Sequence, residues 1–99
     1  MILEAKVLKV EPMQTFTYGR EHPTECRSQH ILLELNMVDK LWVERRSPLL
    51  TPYTGSEFDP QKRYSFALAL RPVEFEAKGR KFYRTGFEVC GINEIPENR

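Results

Sequence analysis

Long hydrophobic runs are missing from this sequence. A helix that spans a membrane needs about 20 consecutive apolar residues, and no stretch of the 99 residues approaches that length. Residues 1–11 are also unlike a signal peptide, because Glu4 and Lys6 fall where an apolar region would have to be. We therefore expect a cytoplasmic protein that does not associate with a membrane.

Cysteine is scarce, and neither sign of charge dominates. Cys26 and Cys90 could form one disulfide, but two free thiols are expected in a chain without a signal peptide. The 15 basic and 14 acidic residues leave a net charge of +1, unlike the strongly basic balance that is typical of duplex-binding domains. Binding of nucleic acid would therefore have to depend on a local patch of charge.

Catalytic motifs are absent as well. The sequence contains no GxSxG, HExxH or phosphate-loop motif, and neither of its two histidines, His22 and His30, neighbours a recognisable nucleophile. The carboxylates are scattered singly along the predicted strands, as solvated strand faces usually are. The sequence therefore predicts a protein that is not an enzyme.

One group of residues has the chemistry to bind a metal. His22, Cys26 and His30 are spaced four residues apart, Cys90 could add a fourth ligand, and zinc accepts such donors. However, Pro23 interrupts the first interval, and no CxxC or HxxxH pair anchors a site. We therefore expect no metal and no other cofactor.

The clearest pattern in the chain lies in residues 63–95. Large apolar residues at Tyr64, Phe66, Leu68 and Leu70 alternate with small or polar ones, which is the period of a β-strand with one apolar face. The sequence AKGR follows, with Gly79 as the natural turn residue. These features predict two long strands that form a terminal hairpin.

The rest of the chain predicts shorter strands and two long loops. Strands are expected over residues 1–10, 29–36 and 41–46, and Gln14–Tyr18 is expected to continue the first of them after a kink at Pro12. A helix over residues 31–46 is the alternative, because Leu, Glu, Met, Lys and Arg favour helices.

Loops are expected over residues 19–28 and 47–61, which are rich in polar residues, proline and glycine. Residues 96–99 are expected to form a frayed tail. About five strands with few or no helices predict an all-β fold, a small five-stranded OB-like Greek-key barrel with long loops, as one domain of residues 1–99.

Aromatic and cationic side chains indicate a possible role. Proteins that hold single-stranded nucleic acid combine rings that stack on bases with cations that track phosphates. The candidate rings are Tyr18, Trp42, Tyr53, Phe82 and Tyr83. The candidate phosphate ligands are Arg20, Arg27, Arg45, Arg46, Lys78, Arg80, Lys81 and Arg84. Core packing of any one ring, and protection of a sheet edge by the hairpin cations, are the plainer explanations.

Five segments of the chain together resemble the filamentous-phage single-stranded-DNA-binding proteins, the helix-destabilising "gene V" class. The segments are MILEAKV, QTFTYGREHPTECR, DPQKRYSFALAL, FEAKGRKFYR and GINEIP. The resemblance implies an OB-like barrel that forms a homodimer, partly through its terminal hairpin, and coats single strands cooperatively. It places DNA contacts on the first loop and on the terminal hairpin, which here means Tyr18, Arg20, Arg27, Arg80, Phe82 and Arg84.

Our leading hypothesis is a protein that binds single-stranded DNA with little sequence preference and acts in DNA replication of a phage or mobile element, in the cytoplasm of the host cell. Recognition of RNA is a further option. The alternative from another class is a β-barrel protein–protein adaptor or inhibitor that does not bind nucleic acid. Trp42, Tyr53 and the Leu49–Leu50 pair would then be the interface anchors, as aromatic residues often are.

Overall fold

The computed structural model describes residues 1–96, which form six strands and no helix. The strands are β1 (Ile2–Val10), β2 (Gln14–Tyr18), β3 (Thr24–Glu34), β4 (Lys40–Ser47), β5 (Tyr64–Ala77) and β6 (Arg80–Glu94). The all-β prediction is therefore confirmed, and the helical alternative for residues 31–46 is wrong, since β3 and β4 cover most of that stretch.

Five of the strands close into a ring of hydrogen bonds. β1 pairs with both β3 and β5, and the ring continues from β5 through β6 and β4 back to β3. All of these pairings are antiparallel except that of β4 with β6, which is parallel and involves one residue pair, Glu44 and Glu88. The result is a five-stranded Greek-key ring that is partly open between β4 and β6, the OB-like arrangement expected from the sequence.

The core lies inside this ring. Alternate residues of four strands point inward and are buried, among them Ala5, Ile31, Val43 and Phe66. The alternation in the terminal hairpin is as predicted, yet Leu70 is 68% exposed although it shares a face with Phe66. The cause is the length of the hairpin, because β5 and β6 continue past the ring to a turn at residues 78–79.

The prediction for the first loop needs correction. β2 continues β1 after the kink at Pro12, as expected: β1 pairs antiparallel with β3 as far as Val10 opposite Ile31, and β2 pairs antiparallel with the same strand from Gln14 opposite Ser28 to Tyr18 opposite Thr24, where the chain reverses into β3. The loop therefore spans residues 19–23, and residues 24–28 belong to β3. Gly19 allows this tight reversal, because its φ of +92° lies in the left-handed region that favours glycine. β2 is thus a sixth strand attached to the edge of the ring.

The middle loop, residues 48–63, has no regular element, as predicted, but it packs closely on the ring. Leu50 and Phe58 are buried, and the ring of Phe58 contacts those of Tyr53 and Tyr64 edge to face at 5.0 and 5.1 Å. Gln29 of β3, buried in the core, holds the start of the loop. Its Nε2 donates to the carbonyl oxygen of Tyr53 at 2.7 Å, and its Oε1 accepts from the Tyr53 amide at 3.0 Å.

The remaining predictions concern the cysteines, the tail and membrane helices. Both thiols are free in the described structure, with Cys26 buried and Cys90 exposed. The predicted tail lies outside the described residues except for Pro96. Residues 1–96 contain no helix that is both long and apolar enough to span a membrane.

Candidate nucleic-acid interface

One side of the sheet extends from the β2–β3 hairpin across β4 to the β5–β6 hairpin, although β4 and β6 are joined by a single residue pair. Residues that pair across neighbouring strands share a face, so the register identifies the side chains on this side. It places Phe16 beside Cys26, Ser28 beside Arg46, His30 beside Glu44, and Leu32 beside Trp42. The pair Glu44–Glu88 extends the same side onto β6, where Gly86, Arg84, Phe82 and Arg80 follow at intervals of two. We call this side the outer face.

Four aromatic rings on the outer face are accessible to a ligand. Tyr18 at the end of β2 is 53% exposed, Trp42 on β4 is 45% exposed, and Phe82 on β6 is 42% exposed. Phe75 of β5 pairs with Phe82 across the hairpin on the same face and is 43% exposed, and the two rings are stacked at a centroid distance of 5.5 Å. Exposed rings that are held in place by strands are suitable platforms for the stacking of bases.

Four arginines accompany these rings, and they differ in how far they are already paired. Arg46 lies over the ring of Phe16 at 4.6 Å and 3.8 Å from a Glu44 carboxylate oxygen. Arg71 of β5 donates to a Glu88 carboxylate oxygen at 2.6 Å. Arg80 and Arg84 are exposed and form no ion pair with any described residue. On this face, Arg80 and Arg84 are therefore the arginines that can bind a phosphate without breaking an ion pair seen in the described structure.

The rings and arginines line connected depressions in the outer face. Where β4 and β6 separate, they leave a cleft of about 270 Å³ lined by His30, Trp42, Arg71 and Arg84. A second groove, lined by Tyr18, Arg46, Arg71 and Glu88 among others, shares Arg71 with the cleft. The two depressions therefore adjoin at Arg71, and together they extend from the β2–β3 hairpin to the base of the β5–β6 hairpin.

Two of the predicted phosphate ligands, Arg27 and Arg45, lie on the opposite side of β3 and β4 from Trp42. Arg45 donates to Oε1 of Gln29 at 3.0 Å and to the carbonyl oxygen of Thr51, and its guanidinium lies 3.2 Å above the ring of Tyr53. Burial lowers the pKa of the Arg45 guanidinium. Arg27 donates to the carbonyl oxygen of Leu50 at 3.3 Å. Both side chains hold the middle loop, and the structure does not bring them to the outer face.

The remaining predicted residues are exposed but divided between surfaces. Lys81 and Tyr83 lie on the other face of the terminal hairpin, where the Lys81 ammonium is 3.5 Å from a Glu74 carboxylate oxygen. Lys78 occupies the hairpin turn with a φ of +53°, and Arg20 lies in the turn between β2 and β3. The hairpin therefore presents Phe82 and Arg84 on the outer face and Tyr83 on the other.

The sequence analysis missed four residues of the outer face, namely Phe16, His30, Arg71 and Phe75. Arg71 and His30 carried a usable signal, because each alternates with apolar residues of a predicted strand and so had to point away from the core. Phe16 carried no such signal, since its face depends on the pairing of β2 with β3.

Comparison of the chain with protein-family models, curated proteins and solved structures found no match. Any functional interpretation must therefore be drawn from the residues and their geometry.

Proposed function

We propose that this protein binds single-stranded nucleic acid, DNA in the first instance, along the outer face and largely without sequence preference. The observation that carries the proposal is the combination on one face of four exposed rings, Tyr18, Trp42, Phe75 and Phe82, with two exposed guanidinium groups. These groups, on Arg80 and Arg84, form no ion pair with any described residue. Rings can stack on any base and guanidinium groups can bind any phosphate, so this combination has no need of a particular sequence.

The position of the face within the fold supports the proposal. OB-type proteins bind oligonucleotides with their second and third strands and with the loops between strands one and two and between strands four and five. In the five-stranded ring of this protein those strands are β3 and β4, and those loops are the β2-containing segment 11–23 and the turn at residues 78–79. Tyr18 and Trp42 belong to these parts of the chain, and Phe82 and Arg84 lie on the arm of the hairpin that begins at the 78–79 turn.

Our proposal includes the homodimer that the gene V resemblance implies. We assign the contact between the two copies to one face of the terminal hairpin. The hairpin face that carries Tyr83 also carries Leu70, and these side chains are 69% and 68% exposed. A contact between two copies through this face would cover both side chains and leave Phe82 and Arg84 free for nucleic acid. A role in the replication of phage or mobile-element DNA is likewise part of the proposal.

The adaptor hypothesis has less support from the geometry. Leu50 is buried against the ring, and Tyr53 is half-buried beneath the guanidinium of Arg45. Of the four proposed anchors, only Leu49 and Trp42 are therefore exposed, and Trp42 belongs to the outer face.

The salt dependence of binding tests the proposal. We expect a fluorescent single-stranded oligonucleotide to bind at low salt, and its affinity to fall about tenfold to a hundredfold between roughly 50 and 200 mM salt, because several phosphates release counterions. Fluorescence anisotropy measures this, and competition with RNA of the same sequence shows which polymer is preferred. Absence of binding at low salt would overturn the proposal.

Matched variants locate the charge contacts. Arg84→Gln should make the plot of log affinity against log salt shallower by about 0.7, the value for one phosphate contact on a single strand. Lys81→Gln should leave the slope unchanged, because Lys81 lies on the other face of the hairpin. Equal slopes for the two variants would show that the outer face is not the binding surface.

A further inference from the structure

The cleft between β4 and β6 brings together three side chains of different chemistry. His30 of β3, Trp42 of β4 and Arg84 of β6 line the cleft. The same three residues also line an adjoining groove, formed with Glu11, Pro12 and Gln14 from the segment that leads into β2. A flat ring, a permanent cation and an imidazole that can gain a proton thus face one shared space.

The charges around this space are nearly balanced when His30 is neutral. Two arginines, Arg71 and Arg84, and two carboxylates, Glu44 and Glu11, line the cleft and the adjoining groove, and Arg71 is already paired with Glu88. Protonation of His30 would add one positive charge to this space. The charged groups that face His30 come from each neighbouring element: Glu44 from β4, Arg84 from β6, Arg71 from β5 and Glu11 from the segment before β2.

The His30 imidazole is placed to respond to an anion in the cleft. Its Nε2 lies 3.7 Å from a Glu44 carboxylate oxygen, while the other Glu44 oxygen lies 3.8 Å from Nε of Arg46. Glu44 therefore lies close to Arg46 as well as to His30. The imidazole side chain remains partly exposed toward the cleft. His30 can therefore bind a ligand while Glu44 keeps its contact with Arg46.

We propose that this cleft is a nucleotide subsite in which Trp42 stacks on one base and Arg84 and protonated His30 bind the phosphate next to it. The inference rests on the proposed function. It adds His30 to the binding residues and acidic pH as the condition for tight binding. A histidine side chain changes its charge between about pH 5 and 8, and a charged donor forms a stronger hydrogen bond to phosphate than a neutral one. Binding at this subsite is therefore tightest at acidic pH and weakens as the pH rises and His30 loses its proton.

Trp42 allows the subsite to be observed directly, because it is the only tryptophan in the chain. Oligothymidylate without a terminal phosphate is a suitable probe, since the charge of its internal phosphodiesters does not change in this pH range. We expect it to quench Trp42 fluorescence and to bind about fivefold to tenfold more tightly near pH 5.5 than near pH 8.

The two histidines provide a matched pair of variants. His30→Gln should keep the quenching but lose most of the pH dependence of the affinity. His22→Gln should keep both, because His22 lies in the exposed turn between β2 and β3. Circular dichroism of both variants at both pH values verifies that the fold is unchanged.

The outcomes separate this inference from the proposed function. Binding seen by anisotropy of a labelled oligonucleotide without any change in Trp42 fluorescence would overturn the subsite and leave the wider interface standing. Equal pH dependence in wild type and His30→Gln would overturn the role of His30. Absence of anisotropy change at every pH and at low salt would overturn the proposed function, and the subsite with it.

Discussion

Gln29→Leu is expected to lower the free energy of unfolding by about 3 kcal/mol, because it leaves several buried polar groups without partners. Gln29 is 1% exposed. Its Nε2 donates to the carbonyl oxygens of Glu11 at 2.9 Å and Tyr53 at 2.7 Å, and its Oε1 accepts from the Tyr53 amide and from Arg45. Leucine has a similar size but replaces none of these bonds. Each buried donor or acceptor left unpaired costs about 1–3 kcal/mol, and Arg45 adds less because it is partly solvated.

Urea unfolding followed by circular dichroism measures this change. The midpoint should fall while the dependence on urea stays the same, since the surface exposed on unfolding is nearly unchanged. Gln61→Leu is the matched control, because Gln61 is exposed in the middle loop and its side chain forms no hydrogen bond with any described residue. A loss of stability no larger than that of the control would show that the Gln29 bonds do not hold the middle loop to the ring.

Alternation was sufficient to predict those strands that bury one face against the core. The terminal hairpin and β1 follow this rule, because Phe66 and Ala5 lie in stretches where apolar inward positions alternate with small or charged outward ones, such as Ala67 and Lys6. The same reasoning failed for residues 24–28. Their inward position, Arg27, is charged and contacts a loop instead of the core, so the segment showed no apolar face and was predicted as a loop.

The types of residue that form the interface were easier to predict than the side of the sheet on which each of them lies. Rings and cations were recognisable as residue types, but the side on which each one lies depends on register and on where the middle loop packs. Arg45 and Arg46 are neighbours in the sequence, yet one holds Gln29 and Tyr53 beneath the middle loop and the other lies over Phe16 on the outer face. Alternation along β4 places the two side chains on opposite sides. The middle loop covers the Arg45 side, and no local pattern in residues 48–63 predicts where that loop packs.

Phe82 and Tyr83 are likewise neighbours that should behave differently. Replacing both Tyr18 and Phe82 with Ala is expected to weaken binding of single-stranded DNA by about 2–6 kcal/mol, since each stacked ring contributes roughly 1–3 kcal/mol. Tyr83→Ala should leave the affinity of a single site unchanged, because Tyr83 pairs with Glu74 on the other face of the hairpin. Anisotropy titrations at one low salt concentration, with the single variants as intermediates, measure both effects.

The comparison must distinguish loss of stacking from loss of structure. Phe82 stacks on Phe75 at 5.5 Å, so its removal could loosen the end of the hairpin as well as remove a platform. Phe82→Leu separates the two causes, because leucine keeps an apolar contact with Phe75 but offers no ring to a base. Weak binding by both Phe82→Leu and Phe82→Ala would identify stacking as the interaction that was lost. Weak binding by Tyr83→Ala with normal binding by the Phe82 variants would instead move the interface to the other face of the hairpin and leave the outer face for contacts between copies.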